Sequence, residues 1–264
     1  MQVASSMRLP LAKVVAGALL LAWERRYALF YALWLPLLLG IAFSIAEGTW
    51  GPSSWESGTP EENARMQSAL LLWTLPLFAL TVVFAVRSYR VYLLGSEQQQ
   101  VFAPISWGLR ETRFIFAIAA VAFVFASGLF MFSGLMALVW PGVGEFAGSR
   151  YGLALVLPPA YLAGRFLLAF PALASDGADD VLQALRQSWE ITNRNGWRVM
   201  VLCVVAPGVV AWALEQISQL SVPGITLLTS VAVWLVMPVE LALVALAYAT
   251  LRPNKPATTD IDAE

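Results

Sequence analysis

The sequence predicts an all-α polytopic membrane protein, a bundle of six transmembrane helices with two or three amphipathic helices lying along its cytoplasmic face. Three observations lead there. Hydrophobic residues make up 59% of the 264-residue chain and charged residues only 12%. That is about half the charged share a soluble domain carries to coat its surface. Six apolar runs each reach the roughly 20 residues needed to cross a hydrocarbon core of about 30 Å. Lysine and arginine, finally, fall almost wholly on one side of those runs.

The runs lie at 27–46, 67–86, 114–140, 151–174, 199–217 and 225–250. Each holds stretches that are apolar on every face, as lipid or a bundle interior requires. Pro36, Pro76, Pro158, Pro159, Pro171, Pro207 and Pro238 interrupt them. Membrane helices tolerate such prolines where neighbours re-satisfy the freed carbonyls. One set of flanks holds Arg8, Lys13, Arg25, Arg26, Arg87, Arg90, Arg110, Arg113, Arg186, Arg194, Arg198, Arg252 and Lys255, and the other only Arg65 and Arg150. The positive-inside rule therefore places both termini in the cytoplasm. The segment 48–65, with Glu56, Glu61 and Glu62, becomes a short acidic loop outside. That loop, 141–150 and 218–224 are too short to form an external domain. Residues 1–252 read as a single membrane domain and 253–264 as a disordered cytoplasmic tail.

The N-terminal stretch 9–23 follows Arg8 and is apolar, like a signal peptide. Lys13 interrupts it, Glu24-Arg25-Arg26 follows, and no persuasive cleavage site ends it. Leu11, Val14, Val15, Ala18 and Ala22 share one helical face, opposite Lys13, Gly17 and Glu24. The segment is expected to lie along the inner interface. A second such helix follows the fourth span, with Asp176 as its N-cap. Val181, Leu185, Ser188 and Trp189 form one face, Gln183, Arg186, Gln187 and Glu190 the other. Asn195-Gly196 supplies its stop. A weaker third candidate covers 106–113. The two stronger helices share an A-L-x-x-small-W-E pattern, at Ala18–Glu24 and Ala184–Glu190, which suggests parallel repeat units 9–93 and 176–250.

Several of these residues carry a family resemblance. Gly164-Arg165-Phe166-Leu167-Leu168-Ala169-Phe170-Pro171-Ala172, then Ala184-Leu185-Arg186-Gln187-Ser188-Trp189-Glu190-Ile191-Thr192 and Asn195-Gly196-Trp197-Arg198, resemble the uncharacterised YciC-type bacterial inner-membrane family. They are also similar to the membrane domain fused to some glycerophosphodiester phosphodiesterases. Arg90-Val91-Tyr92-Leu93-Leu94-Gly95 resembles that family's exit from the second span. The resemblance implies a six-helix protein of the bacterial cytoplasmic membrane and brings no reaction with it. The phosphodiesterase's catalytic barrel has no room here.

Chemistry-bearing residues are few. The chain has no histidine, which removes the usual general base and zinc ligand. Cys203, alone inside an apolar run, reads as a small buried residue rather than a nucleophile. No catalytic, cofactor-binding or metal-binding set emerges, and a net charge of −1 points to no nucleic acid. Two intramembrane ions stand out. Arg165 lies eleven residues before Asp176 and Glu240 twelve before Arg252, so straight helices would put both near mid-bilayer. An unpaired ion there costs at least about 2.5–3.5 kcal/mol, and an Arg165–Glu240 ion pair between spans four and six is expected, with carbonyls freed beside Pro158, Pro159 or Pro171 as competing partners for Arg165. Such a pair either fixes which helices are neighbours or marks a solute site. Glu215 reads as a solvated helix end, and Thr74, Thr81, Ser127, Ser133, Thr229 and Ser230 as groups bonded to carbonyls or neighbouring helices.

At the cytoplasmic rim, Arg25, Arg26, Arg87, Arg90, Arg110, Arg113, Arg186, Arg194 and Arg198 combine with Trp23, Trp107, Trp189 and Trp197. This is a candidate collar for anionic lipid headgroups. The expected role is a non-catalytic structural or accessory envelope protein whose partners are membrane lipids. The alternative is a transporter or channel for a small or lipid-like solute at the Arg165/Glu240 region.

Overall fold

The computed structural model describes residues 8–50, 59–95, 107–140, 153–220 and 224–252. The 253–264 tail, Arg150 and residues 51–58 of the expected acidic loop lie outside them. The described residues are helical with short connections: α1 (Leu11–Glu24), α2 (Arg26–Trp50), α3 (Pro60–Leu94), α4 (Leu109–Val139), α5 (Leu153–Phe166), α6 (Ala169–Ala174), α7 (Val181–Ile191), α8 (Gly196–Met200), a π-helical turn (Val201–Val205), α9 (Ala206–Ser218) and α10 (Ile225–Leu251). They contain six helical stretches long and apolar enough to cross a membrane: Arg26–Phe43, Thr74–Leu94, Leu109–Val139, Leu155–Ala174, Gly196–Ser218 and Leu227–Leu251. The chain is a multi-pass membrane protein of the all-α class.

Proline chemistry shapes two of these spans. Pro171 cannot donate to the carbonyl of Leu167, and its ring crowds that carbonyl. Span four accordingly breaks after Phe166 and restarts at Ala169 as α6. Pro207 stands in the same relation to Cys203, and span five widens into the π turn Val201–Val205 just ahead of it. Pro36, Pro76, Pro158, Pro159 and Pro238 are accommodated inside their helices. Thr81 and Thr229 donate to the carbonyls of Leu77 and Ile225 in their own helices, at 2.8 and 3.1 Å.

Two elements differ from expectation. The second span sits about seven residues later, at Thr74–Leu94 rather than 67–86, because α3 continues unbroken past Arg87 and Arg90. It stops at Gly95, whose φ of +84° only glycine adopts without strain. The weak third amphipathic helix is absent as a separate element. Trp107 and Gly108 are non-helical, and α4 starts at Leu109, with the Glu111 carboxylate accepting the Gly108 N–H at 2.8 Å. From there α4 runs straight into the third span.

The core is concentrated at the arginine-rich end. It gathers Val14 and Ala18 of α1, Val82–Tyr89 of α3, Phe114 and Ala117 of α4, Leu168–Ala174 around α6, Ala184 of α7, Val199 of α8 and Ala242–Tyr248 of α10. Alanines predominate where α1 and α10 pack together, and small side chains are what let membrane helices approach closely. Toward the other end side chains turn outward, Phe130 and Leu138 being more than 80% exposed, as a lipid-facing surface requires.

Candidate functional site

Arg165 is the most constrained ion among the described residues. It lies in the last turn of α5, at the break in span four, and is 9% exposed. Its Nη2 donates to the Trp189 carbonyl at 2.7 Å and its Nε to Thr192 Oγ1 at 3.2 Å. The guanidinium lies 3.4 Å from the Trp189 ring centroid, and Phe166 stacks on the same indole at 5.4 Å. In return Ser188 Oγ donates to the Arg165 carbonyl at 2.6 Å. Thr192 Oγ1 also donates to the Ser188 carbonyl at 2.8 Å, so every hydroxyl in the node is used.

The expected Arg165–Glu240 pair is therefore wrong. Arg165 faces the C-terminal turn of α7, whose last carbonyls lack helical partners and carry the negative end of the helix dipole. That end serves as the counter-charge a carboxylate was expected to supply. The expectation failed because it treated span four as one straight helix. The break at Leu167-Leu168 redirects the end of α5 toward α7.

Asp176 also has a different role. The N-cap of α7 is Asp180, which accepts the Gln183 N–H at 2.8 Å while the Gln183 side chain accepts the Asp179 N–H. Asp176 instead closes α6. It takes φ of +56° while the Gly177 N–H returns to the Ala172 carbonyl at 2.8 Å, a Schellman closure with aspartate in the left-handed position. Its carboxylate receives Arg90 of α3 at 2.7 Å and both Nε and Nη2 of Arg110 of α4 at 3.0 and 2.8 Å. Arg90 also donates to the Ala174 carbonyl. Partial burial by itself would raise the Asp176 pKa. The hydrogen bonds and charges of Arg90 and Arg110 outweigh it and hold the carboxyl below the usual aspartate range.

The α7 stop also differs. α7 ends at Ile191, and Arg194, with φ of +69°, supplies the left-handed residue of the turn. Gly196 begins α8, where a Cβ would come within 2.8 Å of the Tyr161 hydroxyl. Asn195 accepts the Leu9 N–H at 3.1 Å, and Arg198 donates to the Leu9 carbonyl at 2.9 Å. The backbone of Leu9, ahead of α1, is thus clamped on both sides to the start of span five. Asn195→Ala leaves a buried N–H without its acceptor, an expected loss of about 1–3 kcal/mol. Amide exchange across 9–14 should rise accordingly, and unchanged exchange there would show that the clamp does not hold α1.

The face of α1 proves broader than expected. Val14, Ala18 and Ala22 are buried as predicted, but Gly17, assigned to the outer face, packs within reach of Leu246 on α10. Val15 is turned outward with Leu19 and Trp23. The shared A-L-x-x-small-W-E segments do have one burial register, with Ala18, Ala22, Ala184 and Ser188 inward and Trp23, Glu24, Trp189 and Glu190 outward. They dock differently, α1 on α10 and α7 on α4, α5 and α6.

The collar arginines divide into two groups. Arg90, Arg110 and Arg198 bond inside the protein as above, and Arg26 donates to the Trp23 carbonyl while stacking on Trp23 and Tyr27. Arg186 pairs with Glu190 along the exposed side of α7. Arg25 and Arg87 have partners of their own. Arg113 and Arg194 carry no hydrogen bond or ion pair among the described residues, and Arg194 is exposed. No group of metal-ligating side chains is present among the described residues. Comparison with protein-family models, with curated proteins and with solved structures finds no match to this chain.

Proposed function

We propose that the chain is a non-catalytic structural or accessory protein of the bacterial cytoplasmic membrane, belonging to the YciC-type family and holding anionic lipid at its arginine-rich end. In this reading that end and both termini face the cytoplasm, an orientation supported by the thirteen-to-two lysine and arginine asymmetry of the flanks. A reporter fusion placing Glu56 inside or Asp260 outside would overturn it.

The observation that carries the non-catalytic, non-transporting reading is the environment of Arg165. A solute site would leave this intramembrane cation facing a polar passage. Its Nε and Nη2 instead bond to α7, its face stacks on Trp189, and it is nearly inaccessible. The family motif residues Arg165, Ser188, Trp189 and Thr192 then serve to seat α7 against the break in span four.

Lipid binding rests on the arginines left free by that internal bonding. Arg113 and Arg194 stand near the exposed Trp107 and Trp197 in sequence, the pairing of cation and amphipathic ring suited to a headgroup layer. At about 1 kcal/mol per arginine near an anionic surface, replacing both with glutamine should weaken binding to phosphatidylglycerol nanodiscs roughly thirtyfold at low salt. Equal stabilisation of the detergent-solubilised protein by phosphatidylcholine, or an unchanged phosphatidylglycerol affinity in the double variant, would sink the assignment.

A further inference from the structure

Glu240 lines a cavity of about 250 Å³ between spans two, five and six, with Thr81, Val210, Leu214, Trp234 and Met237 among its walls. It is the one ionisable lining residue of that cavity among the described residues. With Arg165 bound to α7, Glu240 has neither a hydrogen bond nor an ion pair among the described residues. Two polar groups on span two, Thr81 and Tyr92, are committed elsewhere. Thr81 donates to Leu77, and the Tyr92 hydroxyl donates to the Pro238 carbonyl at 2.8 Å. Trp234 is seated against Gly40 of α2, whose missing Cβ leaves the only room for the indole in that position.

We propose that this cavity is a binding site for a small lipophilic ammonium cation. Each wall contributes a distinct part of that recognition. An intramembrane carboxyl group without a protein partner favours a cation, because a charge at this depth is costly until it is paired. The indole of Trp234 adds attraction for an ammonium lying over its face. The aliphatic walls and Met237 suit alkyl or aryl substituents and exclude strongly hydrated ions such as sodium. A neutral acyl chain would fit the walls and make no use of Glu240.

The experiment uses the full-length protein in detergent and dicyclohexylcarbodiimide, which converts an accessible carboxylic acid in an apolar setting to a stable N-acylurea. Labelling of the Glu240 peptide is followed by mass spectrometry. Benzyltrimethylammonium should slow it at least fivefold, and the uncharged isostere neopentylbenzene should not. Equal slowing by both compounds would identify the cavity as an acyl-chain groove and overturn the proposal, as would no slowing by the cation or no labelling at all. Quenching of tryptophan fluorescence by benzyltrimethylammonium should be lost in Glu240→Gln and kept in Glu240→Asp. Unchanged quenching in the glutamine variant would also overturn it, and the protection measurement on the unaltered protein decides the matter if that variant does not fold.

Discussion

Arg165→Leu should lower stability by roughly 3–5 kcal/mol, the range expected when one partner of a buried charged network is removed. The substitution deletes the donors to the Trp189 carbonyl and to Thr192 Oγ1 and the stack on the Trp189 ring. It leaves the last turn of α7 without a counter-charge. Arg165→Lys should recover only part of this, because an ammonium cannot reproduce the planar fork or the stack. Unfolding in mixed detergent–dodecyl sulfate micelles measures both. Double-mutant cycles then identify the partner. Arg165→Leu should couple to Thr192→Val by about 1 kcal/mol or more and be additive with Glu240→Leu to within about 0.5 kcal/mol. Strong coupling to Glu240 instead would restore the ion pair that the fold contradicts.

Asp176 is the second position of large effect, and three substitutions separate its two roles. Asp176→Ala loses the bridge to Arg90 and Arg110 and forces alanine into the left-handed region, for an expected cost of about 1–3 kcal/mol. Asp176→Gly keeps the turn and loses only the bridge, so it should cost less. Asp176→Asn tolerates the turn and keeps weak acceptors, and should cost least. The carboxylate is 57% exposed, so water screens the bridge and its share stays modest. The sign of the pH dependence follows from the depressed pKa. The contribution is complete above the ordinary aspartate range and is lost as pH falls through the lower folded-state value. The alanine variant should lack that acid-side loss. An identical acid profile in the alanine variant and the unaltered protein would show that the bridge contributes nothing.

These two nodes explain why the core gathers at one end. Arg165 joins span four to α7, and Asp176 joins span four to spans two and three. Asn195 and Arg198 join span five to the segment ahead of α1, which packs along α10. The short helices α1 and α7 thus tie together the arginine-rich ends of the spans. At the opposite end the described side chains turn outward instead.

The number of spans, the all-α class and the existence of α1 and α7 were legible in the sequence, because length and periodicity of apolar residues are local properties. The buried stripe Val14, Ala18 and Ala22 was legible for the same reason, whereas α7 buries Ala184 beside the expected Ser188 and turns Trp189 outward. The partners of Arg165, Asp176 and Glu240 were not. Each depends on where a helix breaks or turns, and a shift of a few residues redirects a side chain to a different neighbour. Pro171 signalled a disturbance in span four, but only the packed fold decides that the break at Leu167-Leu168 turns Arg165 toward α7 and leaves Glu240 to the cavity. The sequence by itself therefore determined how many helices are long and apolar enough to cross a membrane, and that shorter helices accompany them. Tertiary structure alone decided how the ions are matched, because a buried charge is satisfied by whatever dipole or carbonyl the fold brings within about 3 Å, and not by charge type alone.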